Sequence, residues 1–183
     1  SPFGPVAVLK ILSNCMPAGT LVTADVGSHL HLLGQFLRTG AGGGLIMSNG
    51  WSGMGFGIPA AIAAGINRPQ SKVVCITGDG GFLMTAGEIA VARRLGLPVV
   101  FIVLSDGEMN LIKLKQSWKS AHGEWTSLYS GDLFCADTFL GIRVIRADNA
   151  HKMKEAAETA LSLSVPVIIN AVIDPVGYEH LIV

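Results

Sequence analysis

Residues Val73–Glu88 read VVCITGDGGFLMTAGE, an acidic residue set between glycines at the end of an unbroken apolar run. An uninterrupted stretch of this kind, bounded by glycine, is the pattern of a strand covered on both faces. The following FLMTAGEIAVARRLG has helical spacing. A strand, a glycine-rich corner and a helix make half of a βαβ unit, and in such sheets ligands sit beyond the carboxyl ends of the strands. Asp79 falls at that end. Gly78, Gly80 and Gly81 are expected to let the backbone turn sharply and approach a bound group, with the first amides of the helix facing it. Such a corner suits an anion, most plausibly phosphate. A carboxylate beside a phosphate needs a cation between them, and Mg²⁺ takes this mixture of oxygens. Asp79 therefore calls for a second oxygen ligand.

The next apolar run, PVVFIVLS, ends in DGEMN and places Asp106 in the corresponding corner, 27 residues after Asp79. That interval holds a helix of about four turns and a returning strand. If the two strands are neighbours, both carboxylates reach one site, and the Glu108 carbonyl can complete the protein's share. GDGG alone reads equally well as a tight turn with a solvated Asp, and SDG alone as a helix-entry turn. Both together, at strand ends and at βαβ separation, form a more specific signal.

Outward from this core, helix and strand signals alternate. PVAVLKILSNCMP reads as a helix ended by Pro17, TLVTAD as a strand, and HLHLLGQFLR as a helix. A glycine-rich loop over 40–57 precedes the helix IPAAIAAGI, with Pro59 in its first turn. GEMNLIKLKQSW supplies a loop and helix, residues 119–132 an exposed excursion, and LFCADTFLG a further helix. The tail gives the strand IRVIRA, the helix AHKMKEAAETALSL and the strand PVIINAVID. The expected fold class is α/β: a three-layer α/β/α arrangement on a mainly parallel six-stranded sheet. One domain over 1–183 is expected, with residues 1–4 a linker or remnant.

Composition agrees. Half of the 183 residues are hydrophobic and only 14% charged, which suits a sheet buried on both faces. Formal net charge is zero and no basic cluster stands out, so neither nucleic acid nor a membrane surface is an expected partner. No apolar run approaches the roughly 20 residues of a membrane span. Cys15, Cys75 and Cys135 show no metal-ligand spacing, and reduced thiols in a cytoplasmic protein are the expectation. The chain opens at Ser1 without Met, as a processed product or an excised piece would.

GDG followed about 27 residues later by Asp or Asn resembles the thiamine diphosphate signature, and three further stretches extend the likeness. VTADVGSHLHLLGQFL resembles the opening of the cofactor-binding domain of acetolactate synthase-like enzymes; GWSGMGFGIPAAIAA and GLPVVFIVLSDGEMNLIKLKQ resemble two of its later segments. The match to this C-terminal domain of the 2-keto acid decarboxylase and carboligase family runs from about Val6 to Asp174.

The resemblance implies the thiamine diphosphate-binding fold, with Mg²⁺ held by Asp79, Asp106 and the Glu108 carbonyl. Val26, Gly27, Ser28, His29, Gly78, Gly80 and Gly81 would lie about the diphosphate. Met54 would wedge beneath the cofactor and bend it, the Ser52 carbonyl would accept from its 4′-amino group, and Met109, Asn110 and Leu111 would line the pocket. Relatives usually carry Gly at position 52 and often two Asn where this chain has Ser105 and Asp106. The implied activity is decarboxylation of a 2-keto acid, pyruvate as first choice, and ligation of the product to a second carbonyl. A pyrimidine-binding domain, absent from these 183 residues, would come from the same enzyme or a partner subunit, in a homodimer or tetramer. The isolated chain is then expected to bind Mg²⁺ and diphosphate without turnover. Two alternatives stay open: the β-type subunit of a two-subunit, sulfopyruvate-like decarboxylase, and a non-catalytic phosphate-binding module. His31, His122, His151 and His180 are read as structural.

Overall fold

The computed structural model describes residues 3–119 and 125–179. Seven strands form one sheet in the order β2-β1-β3-β4-β7-β6-β5. They are β1 (Leu21–Ala24), β2 (Gly44–Met47), β3 (Val73–Gly78), β4 (Val99–Ser105), β5 (Thr138–Phe139), β6 (Ile142–Ala147) and β7 (Val167–Val172). All neighbours are parallel except β5 and β6. The helices are α1 (Pro5–Cys15), α2 (Ser28–Phe36), α3 (Gly57–Asn67), α4 (Asp79–Thr85), α5 (Ile89–Arg94), α6 (Asn110–Trp118) and α7 (Ala150–Ser162). Among the described residues no helix is long and apolar enough to cross a membrane.

Strand periodicity builds two cores. Successive side chains point to opposite faces, so Val74, Ile76, Val100 and Ile102 meet α1, α2 and α7 on one side. Val73, Cys75, Val99, Phe101 and Val103 meet α3, α4 and α5 on the other. Every residue of β4 is buried, as its unbroken apolar run requires. The result is the three-layer α/β/α fold expected from sequence. Connections from β1 run to β2 on one side, and those from β3 to β4 on the other. The crevice between β1 and β3 is therefore a topological switch point, where open α/β sheets bind ligands.

The structure departs from the sequence reading in four places. Six strands were expected and seven are present. One of them, β2, lies inside the glycine-rich loop: GLIM is too short to show a period, and half of it remains exposed at the sheet edge. Next, LFCADTFLG is no helix. Phe134 and Phe139, five residues apart, would diverge by about 140° around one. Instead both rings pack on Phe82, at centroid distances of 5.2 and 5.5 Å. The end of that stretch is the β5–β6 hairpin, whose two-residue turn puts Leu140 at φ 48° and Gly141 at φ 74°. Third, the helix after GDGG starts at Asp79 itself and breaks at Ala86–Glu88 into a 3-10 turn before α5. Fourth, the excursion over 119–132 turns back: Thr126 is buried, and Ser127 pairs with Glu108 in an antiparallel bridge. Residues 120–124 of that excursion, His122 among them, and His180 lie outside the described residues.

A turn with both central residues left-handed favours Asn-Gly over Leu-Gly. Leu140→Asn is expected to raise stability by about 0.5 kcal/mol, whereas Gly141→Ala lowers it, since φ 74° strains any residue with a Cβ and the Arg93 guanidinium would also have to move aside. Urea unfolding of both variants, read as midpoints at unchanged slope, checks the pair.

Candidate functional site

Register brings the acids together. β3 pairs β4 with Gly78 opposite Leu104, so the two strands end almost level, and Asp79 and Asp106 follow at adjacent corners. Asp79 Oδ2 accepts from the Asp106 amide at 3.1 Å, the Gly107 amide at 2.7 Å and the Tyr129 hydroxyl at 2.9 Å. Its Oδ1 accepts from Gly80 N at 2.8 Å. Asp106 Oδ1 accepts from Glu108 N at 3.1 Å. Met109 N and Leu128 N donate to Thr126 O and Gly107 O on either side of the Glu108–Ser127 bridge. In this non-hydrogen-bonded type of antiparallel pair the bridge makes no use of the Glu108 carbonyl.

Burial first, and then the Asp79 charge, pushes the Asp106 carboxyl up to about 7 from its ordinary 3.8; the Glu108 amide opposes this. Tyr129 is raised too, by burial and by Asp79. Two acids so close, partly withdrawn from water, form a donor set suited to a hard divalent cation. Among the described residues no group of three His, Cys, Asp or Glu side chains is placed to hold a metal. Two carboxylates and a backbone carbonyl are what the reading asked for.

An open cleft of about 560 Å³, solvent at its mouth included, adjoins this corner. Val26, Gly27, Ser28, His29, Met54, Gly78, Asp79, Gly80, Gly81, Asp106, Glu108, Met109, Asn110 and Leu111 all line it. Every sequence-chosen residue is thus there except Ser52. That residue is exposed, holds φ at 54°, and donates its hydroxyl to Ser48 O at 3.3 Å. A left-handed backbone at position 52 suits glycine better than serine. His31 and His151 are exposed.

The glycines of GDGG act by proximity and not by special dihedrals, since none has positive φ. A Cβ on Gly80 would stand 2.8 Å from Met109 Sδ and 3.2 Å from Met54 Cε, inside the cleft. A Cβ on Gly81 would run into the Asp25 carboxylate. His29 is buried with Nε2 lacking a partner, and Ser28 Oγ likewise. Burial pushes the His29 ring down to about 4, against the pull of the Asp25 backbone.

Sequence reasoning missed three residues. Asp25 ends the strand LVTA as Asp79 ends VVCITG, so the strand-end rule that found one could have found the other. Tyr129 returns from the polar excursion, where no periodicity marked it. Tyr178, buried, lines the cleft from the 3-10 turn Pro175–Tyr178.

Comparison with known proteins gives concordant results. Residues 25–171 match the family described as thiamine pyrophosphate enzyme, C-terminal TPP binding domain. A probable acetolactate synthase large subunit of Methanococcus aeolicus is 29% identical over 93% of this chain and 30% of its own length. The acetolactate synthase isozyme 2 large subunit of Escherichia coli K12 is 31% identical over 91% and 31% respectively. An acetolactate synthase of Bacillus subtilis is 29% identical over 93% and 30%. The chain therefore spans about 30% of the length of these relatives.

A raised carboxyl has a defined effect on stability. Folded Asp106 holds its proton up to about pH 7, whereas the unfolded residue releases it near 3.8. The stability it contributes is full below about 3.8 and is lost as pH rises through 7. His29, depressed by burial, acts with the opposite sign over an overlapping window. Comparison of Asp106→Asn with wild type at matched pH isolates the first effect. Without added metal, Asp106→Asn is expected to gain on the order of 4 kcal/mol relative to wild type between pH 4 and pH 8. Urea unfolding at the two pH values measures it, and a flat difference contradicts the assignment.

Proposed function

Because the chain belongs to the thiamine pyrophosphate enzyme family, through its C-terminal TPP-binding domain, we propose that it binds thiamine diphosphate through Mg²⁺ as one domain of a larger acetolactate synthase-like enzyme. The observation that carries this reading is the shared corner at the cleft mouth, where Asp79 accepts from the Asp106 amide. In this reading Asp79, Asp106 and the Glu108 carbonyl hold the metal. The backbone at Gly80 and Gly81, with Ser28 and the unpartnered nitrogen of His29, receives the diphosphate. Val26, Gly27 and Gly78 shape the same end. Met54, Met109 and Leu111 present apolar surface to the rings, Asn110 stands at the start of α6, and Ser52 contributes only its carbonyl.

The residues present fit the group. Burial and then the Asp79 charge raise Asp106, and a divalent ion would offset both; the bare backbone at Gly80 lets Met109 and Met54 approach it, and lets a ligand do so as well. Bound thiamine diphosphate supplies the electron sink for decarboxylation of a 2-keto acid, pyruvate in the first instance, and for ligation of the product to a second carbonyl. This chain's share is to anchor, orient and desolvate: the carboxylates fix one end, and the methionines exclude water from the other. A pyrimidine-binding domain, from the same enzyme or a partner subunit, completes the site, with a homodimer or tetramer as the assembly and the cytoplasm as its setting.

Calorimetric titration with thiamine diphosphate in the presence of Mg²⁺ tests the reading. Wild type is expected to bind, metal removal to abolish binding, and Asp79→Asn to weaken it at least about tenfold, or ~1.4 kcal/mol. The isolated chain is expected to release no CO₂ from pyruvate. Equal affinity of Asp79→Asn and wild type refutes the metal site, and turnover by the isolated chain refutes the dependence on another domain.

A further inference from the structure

One buried carboxylate takes no part in the cofactor contacts above, yet it touches the segments that make them. Asp25 is fully buried at the end of β1. Its Oδ1 accepts from Val26 N at 2.7 Å and Gly55 N at 2.9 Å, and its Oδ2 from Thr77 Oγ1 and Gly55 N, each at 3.1 Å. Gly81 packs so closely that a Cβ there would overlap Oδ2, and a Cβ on Gly57 would stand 3.0 Å from Asp25 Cβ. Neighbouring Thr23 reinforces the joint, its hydroxyl donating to Gly57 O at 2.9 Å. The ends of β1 and β3, the loop entering α3 and the first turn of α4 thus converge on one side chain.

Stability alone does not call for this arrangement. Burial pushes the Asp25 carboxyl upward, against the amides of Val26, Gly55 and Phe56 and the Thr77 hydroxyl. A buried carboxylate without a cationic partner is costly compared with an apolar side chain of similar size. What it does provide is a fixed position for Gly55, a left-handed residue at φ 86° in a glycine-rich segment with little rigidity of its own. Gly55 directly follows Met54, which lines the cleft and brings its methyl group to the open side of Gly80.

We propose that Asp25 is a positioning residue: by clamping the Gly55 amide to the ends of β1 and β3, it sets how far Met54 projects into the cleft. The inference rests on the cofactor reading above. It adds that the ring end of the ligand depends on Asp25 more strongly than the phosphate end, where Asp25 touches Gly81 and Val26 but makes no hydrogen bond to Asp79, Asp106 or Glu108.

The test compares two probes, Mg²⁺ with thiamine diphosphate and Mg²⁺ with inorganic pyrophosphate, on wild type, Asp25→Asn, Met54→Ala and the double variant. Asp25→Asn is expected to weaken thiamine diphosphate about tenfold and pyrophosphate by no more than about twofold. The double variant is expected to bind as Met54→Ala does, within about twofold, because the two act through one contact. Thr77→Val removes a single donor to Asp25 and is expected to give the same selective loss at about threefold. It carries the test if circular dichroism shows Asp25→Asn unfolded. Equal losses for both probes, additive losses in the double variant, or no selective loss in a folded Thr77→Val would overturn the proposal and leave the cofactor reading standing. A wild-type chain that binds neither probe overturns both.

Discussion

Three carboxylates stand at the carboxyl ends of three adjacent parallel strands, and the rest of the site is arranged around supplying them with backbone amides; among the described residues none of the three pairs with a cationic side chain. Asp25, Asp79 and Asp106 follow β1, β3 and β4. Each is met by backbone amides, with hydroxyls from Thr77 and Tyr129 added. Backbone donors are fixed in place by the sheet, so they stabilise charge without the entropy cost of ordering a lysine or arginine. That solution demands close backbone approach, and the glycines crowd where it does.

Register and burial deliver this geometry. The parallel ladders pair Ala24 with Ile76 and Gly78 with Leu104, so Asp79 and Asp106 emerge within one residue of the same height, and Asp25 lies two to three residues lower along the strands. The two apolar cores clamp the ladders from both faces, and slippage by one residue would turn Val74 and Ile76 toward the wrong helices. Beyond the strands, the returning segment 126–129 ties the Asp106 corner from outside through Tyr129 and the Glu108–Ser127 bridge. The corner is thereby held from the sheet side and the solvent side.

Much of this was legible in the sequence. Strands buried on both faces show as apolar runs, and acids at their ends stand out against that background. Asp79 and Asp106 could therefore be paired before any coordinates. The four-residue β2 could not be read, because an edge strand that is half exposed carries no period. LFCADTFLG misled because its apolar positions obey tertiary packing on Phe82, not a local repeat. Tyr129 was invisible for a related reason: its partner lies 50 residues away in sequence. Asp25 also ends an apolar strand, but it lacks the adjoining glycine that marks Asp79 and Asp106.

The contact between Asp25 and Gly81 has an evolutionary reading. Position 81 cannot change alone, since any side chain there must occupy the volume of the carboxylate 56 positions earlier. Drift at the two sites is consequently coupled. Descendants of this chain that gain alanine or serine at 81 should already carry a shorter residue at 25, and the reverse order of substitution should be the rarer one.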